Sequence, residues 1–270
     1  MRKRLIPCIF LKEGMIVRSE DFLTHQVIGN PINQVARFSD WAVDEIVYID
    51  ISQNNEYDNR RSDHKVKVPN DKFSLLSDIS KHVFVPFTFG GGVRNIQDIA
   101  KILQSGADKV VLNTGMYIDD NLLLNAVNIF GSQALVACVD YKDGFVYFKH
   151  GKFKSQYTVS RWCVIIQNQG IGEIILNDIS RDGKGDGYDI DTIREIVELT
   201  TVPVVALGGA GDYFDFGECF NEANPSAVAA GNIFHFKEHS YFYAKKELER
   251  EGVDIRIEHI GLKEGIGEIK

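Results

Sequence analysis

Short apolar runs that end in a polar or glycine-rich turn recur along this chain and alternate with segments of helical periodicity. The apolar runs predict strands at residues 5–11, 45–51, 83–89, 109–112, 134–140, 173–176, 202–207 and 227–230. The segments between them predict helices at residues 32–41, 73–81, from Asn95 onward, 121–130, 159–169, 191–199, 214–222 and 241–251. Eight strand–helix units without a domain linker predict an α/β fold, a single (β/α)8 TIM barrel, and 270 residues suit it.

The two halves of the chain repeat one series of strand ends. Residues 6–14 (IPCIFLKEG) and 136–144 (VACVDYKDG) each run from a Cys-containing apolar strand to a Lys, an acid and a Gly. Residues 45–52 match 173–180 in the same way, and two Val-Pro strands that lead into glycines form a third pair. Matched strand ends in one order predict two homologous half-barrels. The first two copies differ most at one position, which holds Phe10 in the first and Asp140 in the second.

Four segments fall outside the repeated units. Residues 15–30 are predicted to form a polar loop, and residues 145–157 a hairpin. Residues 52–71 form a long connection rich in Asn, Asp, Arg and Lys, which is typical of a functional or disordered segment. Residues 252–270 have little apolar periodicity and predict a tail. The domain boundary is placed after residue 257, so that 1–257 form the barrel and 258–270 the C-terminal tail.

Composition narrows the class of protein. A hydrophobic content of 44% is enough for one large core, and a formal charge of −8 argues against a general nucleic-acid binder. The four cysteines contain no C-x-x-C pair, which favours buried thiols over disulfides or a zinc site. The first apolar stretch is too short for a signal peptide or a membrane span. We therefore expect a soluble cytoplasmic protein that binds no membrane, no metal and no cofactor.

In a TIM barrel the active site is built at the carboxyl ends of the strands. Asp140 is the best candidate there for acid–base chemistry, with a structural Asp that caps the next turn as the alternative. Glycines after the third, seventh and eighth strands can present backbone N–H groups to phosphate, although they can also serve backbone geometry alone. Asp50 and Asp178 are expected mainly to hold loops in place, and His235 to be a packing residue.

Specific motifs tie the chain to a known family. They are Leu5–Cys8, Phe89–Arg94, Gly106–Val110, Asn113–Thr114, Arg181–Gly183, Gly187–Asp189, Gly208–Gly211 and Phe234–Phe236. Over about residues 3–257 the chain resembles HisF, the cyclase subunit of imidazole glycerol phosphate synthase. The resemblance implies a (β/α)8 barrel with a HisH-like glutaminase docked at its amino-terminal face. Ammonia from the glutaminase would cross the barrel to a bis-phosphorylated ribulosyl-formimino carboxamide nucleotide at the other face.

The resemblance also implies roles for individual residues. The phosphate-binding positions of the family fall on two sets, Gly92, Asn113 and Thr114 at one end, and Asp182, Gly183, Gly209, Gly231 and Asn232 at the other. Its charged gate for ammonia falls on Arg4, Glu45, Lys109 and Glu173, and a glutaminase contact falls on Asp108.

The catalytic pair departs from the family pattern. The family uses one Asp on strand one and one on strand five, and here Asp140 holds the second position while Phe10 holds the first. Loss of such a proton-transfer group typically costs about 10²–10⁴-fold in rate. Arg18 and Lys184 replace a Lys and a Thr of the family, and the 52–71 segment is longer than the family's.

Three functions remain open. Phe10 together with the intact gate favours a HisF-like paralogue that receives ammonia for another acceptor. Such paralogues act with a glutaminase and an ATP-dependent sugar amidotransferase to amidinate an N-acetyl sugar in surface-polysaccharide (lipopolysaccharide) biosynthesis. The phosphate motifs favour instead a true cyclase of histidine biosynthesis, a lyase, with Glu13 or Glu20 as the replacement carboxylate. A non-catalytic scaffold that activates the glutaminase needs only the same lower face.

Overall fold

The computed structural model describes residues 2–20, 23–52, 57 and 69–257. The barrel strands are β1 (Arg4–Lys12), β4 (Ile46–Asp50), β5 (Phe87–Gly90), β6 (Lys109–Leu112), β7 (Leu135–Lys142), β10 (Glu173–Asp178), β11 (Val204–Leu207) and β12 (Ala227–Ala230). Two antiparallel hairpins extend the sheet, from β2 (Met15–Glu20) and β3 (Thr24–Gly29) beside β1, and from β8 (Phe145–Phe148) and β9 (Phe153–Thr158) beside β7.

The helices alternate with these strands. They are α1 (Pro31–Asp40), α2 (Lys72–Ser80), α3 (Ile96–Gln104), α4 (Thr114–Ile118), α5 (Leu122–Phe130), α6 (Val159–Asn168), α7 (Ile190–Leu199), α8 (Tyr213–Ala223) and α9 (Ser240–Arg250). Most begin at a side chain that accepts a hydrogen bond from the first turn. Asn95 caps α3 as the sequence predicts, and Asp212 forms a capping box at α8.

The eight parallel strands close on themselves, since β12 pairs with β1 and β7 pairs with β10. The predicted (β/α)8 barrel is therefore confirmed, whereas the common origin of its two halves stays a prediction. Two strands begin more than one residue later than predicted. Pro86 and Pro203 have no N–H to donate to a neighbouring strand, and β5 and β11 start directly after them.

The prediction of a polar loop over residues 15–30 is wrong, because β2 and β3 pair as an antiparallel hairpin. Glu13 and Gly14 take positive φ values of 50° and 73°, which turn the chain back so that Lys12 pairs with Met15. Asp143 and Gly144 make the same turn before β8, with φ values of 51° and 74°. The repeated Lys-acid-Gly sequence is thus a hairpin signal in both halves.

The prediction that the tail starts at residue 252 is also wrong, because residues 252–257 pack on the barrel. Lys3 N donates to Asp254 O at 2.9 Å, and Ile255 is buried. Residues 258–270 lie outside the described residues, as do 53–56 and 58–68 of the long connection. The domain boundary after residue 257 therefore stays a prediction.

Alternate residues of the barrel strands point into the interior and divide it into levels. Ile6, Cys8, Val47, Cys138 and Ile175 are among the side chains of one buried apolar cluster inside the barrel. A larger cluster lies outside it, between the strands and the helices. At both ends of the barrel, some of the side chains that point inward are polar.

The carboxylate of Asp44 ties the last helix to the first strand at the amino end of the barrel. It accepts from Leu5 N at 2.9 Å and from Lys245 Nζ at 2.6 Å, and both side chains of the ion pair are almost fully buried. Tyr241 adds to this link, since its hydroxyl accepts from Asp44 N and donates to Leu5 O, each at 2.8 Å. Helix α9 is therefore fixed to β1 by buried polar contacts.

We expect Asp44→Ala to lower the free energy of unfolding by about 3 kcal/mol, because the buried Lys245 ammonium loses its carboxylate. Urea denaturation measures this change. Asp78→Ala is the matched control, since Asp78 pairs with Lys81 on the surface and should change stability by less than about 0.5 kcal/mol. Equal losses in the two variants would contradict the structural role of Asp44.

Candidate functional site

Four charged side chains form a closed ring across the amino end of the barrel. Arg4 reaches Glu45 and Glu173 with separate guanidinium nitrogens, each at 2.5 Å. Lys109 Nζ lies 2.9 Å from Glu45 Oε1 and 2.8 Å from Glu173 Oε2. Two cations thus alternate with two anions, and the structure brings together all four residues that the sequence predicts as a gate.

Arg4, Lys109 and Glu173 hold their charges although the ring is largely withdrawn from solvent. Burial alone would raise the pKa of Glu173, but Arg4 and Lys109 outweigh it and lower that pKa. Burial likewise opposes the charges of Arg4 and Lys109, and the two glutamates outweigh it and raise both pKa values. Each cation therefore depends on the two anions beside it, and the floor of the barrel is charged but locally neutral.

Asp140 lies at the opposite end of the barrel, where its carboxylate is buried and hydrogen-bonded. Asn177 Nδ2 donates to its Oδ1 at 2.7 Å, and Asn113 Nδ2 donates to its Oδ2 at 2.8 Å. Burial raises the pKa of Asp140 to about 6, although the hydrogen bonds from Asn177 and Asn113 act in the other direction. A carboxyl with this pKa can hold or release a proton near neutral pH.

Phe10 occupies the corresponding position at the carboxyl end of β1. Its side chain is 8% exposed and belongs to the apolar cluster inside the barrel. It lines the same cavity as Asn177, the residue that donates to Asp140. The carboxyl end of β1 therefore offers a hydrophobic surface and no group that can transfer a proton.

A cavity of about 270 Å³ opens at the carboxyl end of the second half of the barrel. Five of the predicted phosphate-binding residues line it, namely Asp182, Gly183, Gly209, Gly231 and Asn232. The cations Arg18 and Lys184 line it as well. At Gly209 a Cβ atom would lie 2.0 Å from Gly187 O, so the tight loop requires glycine there. Cationic side chains beside closely packed backbone are a setting that suits an anion.

The other three predicted phosphate-binding residues do not line this cavity. The ammonium of Lys72 donates to Gly91 O at 3.0 Å and to Gly92 O at 3.5 Å. The side-chain amide of Asn113 is engaged by Asp140, and the Thr114 hydroxyl accepts from Lys149 N at 2.9 Å. The two sets of residues are thus in different surroundings, which the matched sequence repeats do not indicate.

Two hydrogen bonds of Ser19 hold the β2–β3 hairpin beside the cavity. The Ser19 hydroxyl donates to Asp182 Oδ2 at 2.6 Å, and its carbonyl accepts from Asn232 Nδ2 at 3.1 Å. Sequence reasoning missed Ser19 and Asn177. Asn177 could have been found, since it follows Glu173 and Ile175 in the alternation that points into the barrel. Ser19 could not, because its role depends on the missed hairpin.

The remaining predicted residues occupy structural positions. Asp50 accepts from Ser52 N and from the Tyr57 hydroxyl, and Asp178 accepts from Ser180 and pairs with Arg181, so both hold loops as predicted. His235 is partly buried beside Phe38 and packs as predicted; desolvation lowers its pKa to about 4. Asp108 is exposed at the amino end of β6, where its carboxylate accepts from Phe87 N at 2.8 Å.

The four cysteines are buried thiols, as predicted. Within the described part of the chain, no three His, Cys, Asp or Glu side chains are grouped so that they could hold a metal ion. The helices of that same part include none long and apolar enough to cross a membrane.

These features define the class of protein as a (β/α)8 barrel whose candidate site lies at the carboxyl ends of its strands. The sequence model of the histidine biosynthesis protein family matches residues 4–240. The chain belongs to this family, and within it to the HisF type.

Three relatives illustrate the similarity. Imidazole glycerol phosphate synthase subunit HisF of Natranaerobius thermophilus is 32% identical over 95% of this chain and 100% of its own length. The HisF subunit of Hydrogenobaculum sp. is 34% identical over 95% and 100%. A Vibrio vulnificus protein, provisionally named imidazole glycerol phosphate synthase subunit hisF2, is 35% identical over 95% of this chain and 92% of its own.

The pKa of Asp140 makes stability depend on pH. The folded-state pKa of about 6 lies above the ordinary 3.8, so folding favours the protonated carboxyl. The stabilisation is complete below about pH 4 and is lost as the pH rises through 6, with a change of about 2–3 kcal/mol. Urea denaturation of the natural protein and of Asp140→Asn across pH 4–7 measures the difference between their two pH profiles. Parallel profiles would contradict the raised pKa.

Proposed function

We propose that this chain is the ammonia-accepting subunit of a glutamine amidotransferase whose acceptor differs from that of the cyclase. Its acceptor is the acetamido group of an N-acetyl sugar in surface-polysaccharide biosynthesis, and the complex works in the cytoplasm. The observation that carries the proposal is Phe10, which presents an apolar ring where the HisF-type reaction needs the second proton-transfer group.

The family membership supports a subunit of the imidazole glycerol phosphate synthase type, since that is the name its relatives carry. A subunit of this type works with a HisH-like glutaminase. We place the glutaminase at the amino end of the barrel, where Asp108 is exposed and the ring of Arg4, Glu45, Lys109 and Glu173 marks the entrance of the proposed ammonia passage.

Ring closure to an imidazole and amidination of an acetamido group require different groups in the barrel. Ring closure to an imidazole requires several proton transfers, and Asp140 alone can act as acid or base at one place at a time. Amidination replaces the acetamido oxygen by ammonia nitrogen after an ATP-dependent partner has activated that oxygen. The barrel then has to deliver ammonia and to bind a phosphorylated ligand, and both tasks are compatible with Phe10.

We expect the natural chain to be nearly inactive as a cyclase and Phe10→Asp to gain activity, because the substitution restores a carboxylate opposite Asp140. The assay supplies the histidine-pathway intermediate and saturating ammonium, so that no glutaminase is needed. The expected gain is about 10²-fold or more. Phe10→Asn is the matched control, because Asn has nearly the same size and polarity as Asp but transfers no proton.

A natural chain that turns over at about 1 s⁻¹ or more would overturn the proposal in favour of a true cyclase. The phosphate-type cavity is the observation that favours this second function. Glu13 and Glu20 are then the carboxylates to test, and Glu20 already lies on the hairpin beside the cavity, 3.7 Å from Arg18.

A pure activator of the glutaminase is distinguished by the source of ammonia. The complete system contains this chain, the glutaminase, an ATP-dependent sugar amidotransferase and an N-acetyl sugar nucleotide. We expect omission of this chain to abolish amidination with glutamine and to reduce it at least about tenfold with saturating ammonium. Full activity with ammonium in the absence of this chain would show that it only activates its partner.

A further inference from the structure

A second hollow lies on the outer side of the cavity at the carboxyl end of the barrel. Its volume is about 200 Å³, and it is lined by Gly211, Asp212, Tyr213, Ile233, Phe236 and Lys237. Gly211, Ile233 and Phe236 line the cavity as well, so the two spaces adjoin. The loops after β11 and β12 form this outer hollow. None of the residues that the family resemblance assigns to phosphate lies in it.

Phe236 stands at the junction of the two spaces with much of its ring uncovered. Its side chain is 62% exposed, and the guanidinium carbon of Arg18 lies 6.0 Å from the ring centre. An exposed aromatic ring beside a binding cavity is a suitable surface for the apolar face of a sugar or for another ring. Tyr213 and Ile233 extend this apolar wall, and Lys237 adds a polar group at its edge.

Arg18 supplies the charge on the cavity side of the junction. Its Nε is buried and has no hydrogen-bond partner within the described residues, and its closest ionic contact is Glu20 at 3.7 Å. The side chain as a whole is 37% exposed and lines the cavity, so the accessible end of the guanidinium can pair with an anion there. The contacts of Ser19 with Asp182 and Asn232 fix the backbone next to Arg18 at the edge of the cavity.

We propose that the two spaces together bind one sugar phosphate, with the phosphate in the cavity beside Arg18 and the sugar ring against Phe236 in the outer hollow. The ligand thus extends outward over the rim between the loops after β11 and β12. A bis-phosphorylated substrate would instead run across the barrel mouth toward Gly92. This inference names the ligand class of the proposed function and rests on that function only in requiring a phosphorylated ligand.

Calorimetric titration of the full chain tests the inference with two probes, inorganic phosphate and N-acetylglucosamine 1-phosphate. We expect the sugar phosphate to bind more tightly, by roughly three- to tenfold, which is the range that one aromatic contact spans. Phe236→Ala should remove this advantage, so that the two probes then bind with similar affinity. Arg18→Gln should weaken the binding of both probes.

Phe214→Ala is the matched control, because Phe214 is also 62% exposed and lines neither space. It should leave both affinities unchanged. Equal affinities for the two probes, or an advantage that survives Phe236→Ala, would overturn the outer subsite. The proposed ammonia transfer would stand in that case, since amidination with ammonium is measured independently. Absence of phosphate binding altogether would overturn the subsite together with the phosphorylated ligand of the proposed function.

Discussion

Closure of eight parallel strands forces every second residue of each strand into one narrow interior, and the rest of the structure follows from how that interior is filled. Apolar side chains such as Ile6, Val47 and Ile175 occupy its middle. They separate the charged ring at the amino end from Asp140 at the carboxyl end. Asp140 is itself buried, and this burial raises its pKa. The same apolar level would admit neutral ammonia more readily than ammonium.

The two halves of the barrel use one strand pattern for different purposes. The glycine-rich loops of the second half form a cavity that Lys184 lines, together with Arg18 from the β2–β3 hairpin of the first half. In the first half the buried ammonium of Lys72 donates hydrogen bonds to the carbonyls of Gly91 and Gly92. A ligand therefore meets two different electrostatic environments at the mouth of the barrel. The same asymmetry is seen at the matched strand ends, where β7 carries Asp140 and β1 carries Phe10.

The sequence was sufficient for the barrel and for the place of Asp140, because both follow from apolar strands and the positions where they end, whereas the four members of the charged ring were indicated only by the resemblance to HisF. It was insufficient wherever a contact joins distant parts of the chain. Ser19 meets Asp182 only because a hairpin folds back, and Lys72 reaches the glycine loop from another helix. The hairpin itself was within reach, since Glu13–Gly14 repeats the turn of Asp143–Gly144. The packing of residues 252–257 was not, because it depends on Lys3 and Lys245 rather than on local periodicity.

Closing the amino end of a barrel with a ring of charged side chains costs free energy. Removing two cations and two anions from water costs free energy that their mutual attraction repays only with good geometry, and apolar residues of similar volume often stabilise a core as well or better. Here the geometry is good, with both carboxylates bound by Arg4 and Lys109. A ring of ion pairs can open when the pairs separate and let a small molecule pass, whereas apolar side chains in the same place would only stabilise the fold. The ring therefore supports the proposed delivery of ammonia more than it supports a scaffold that merely has to fold.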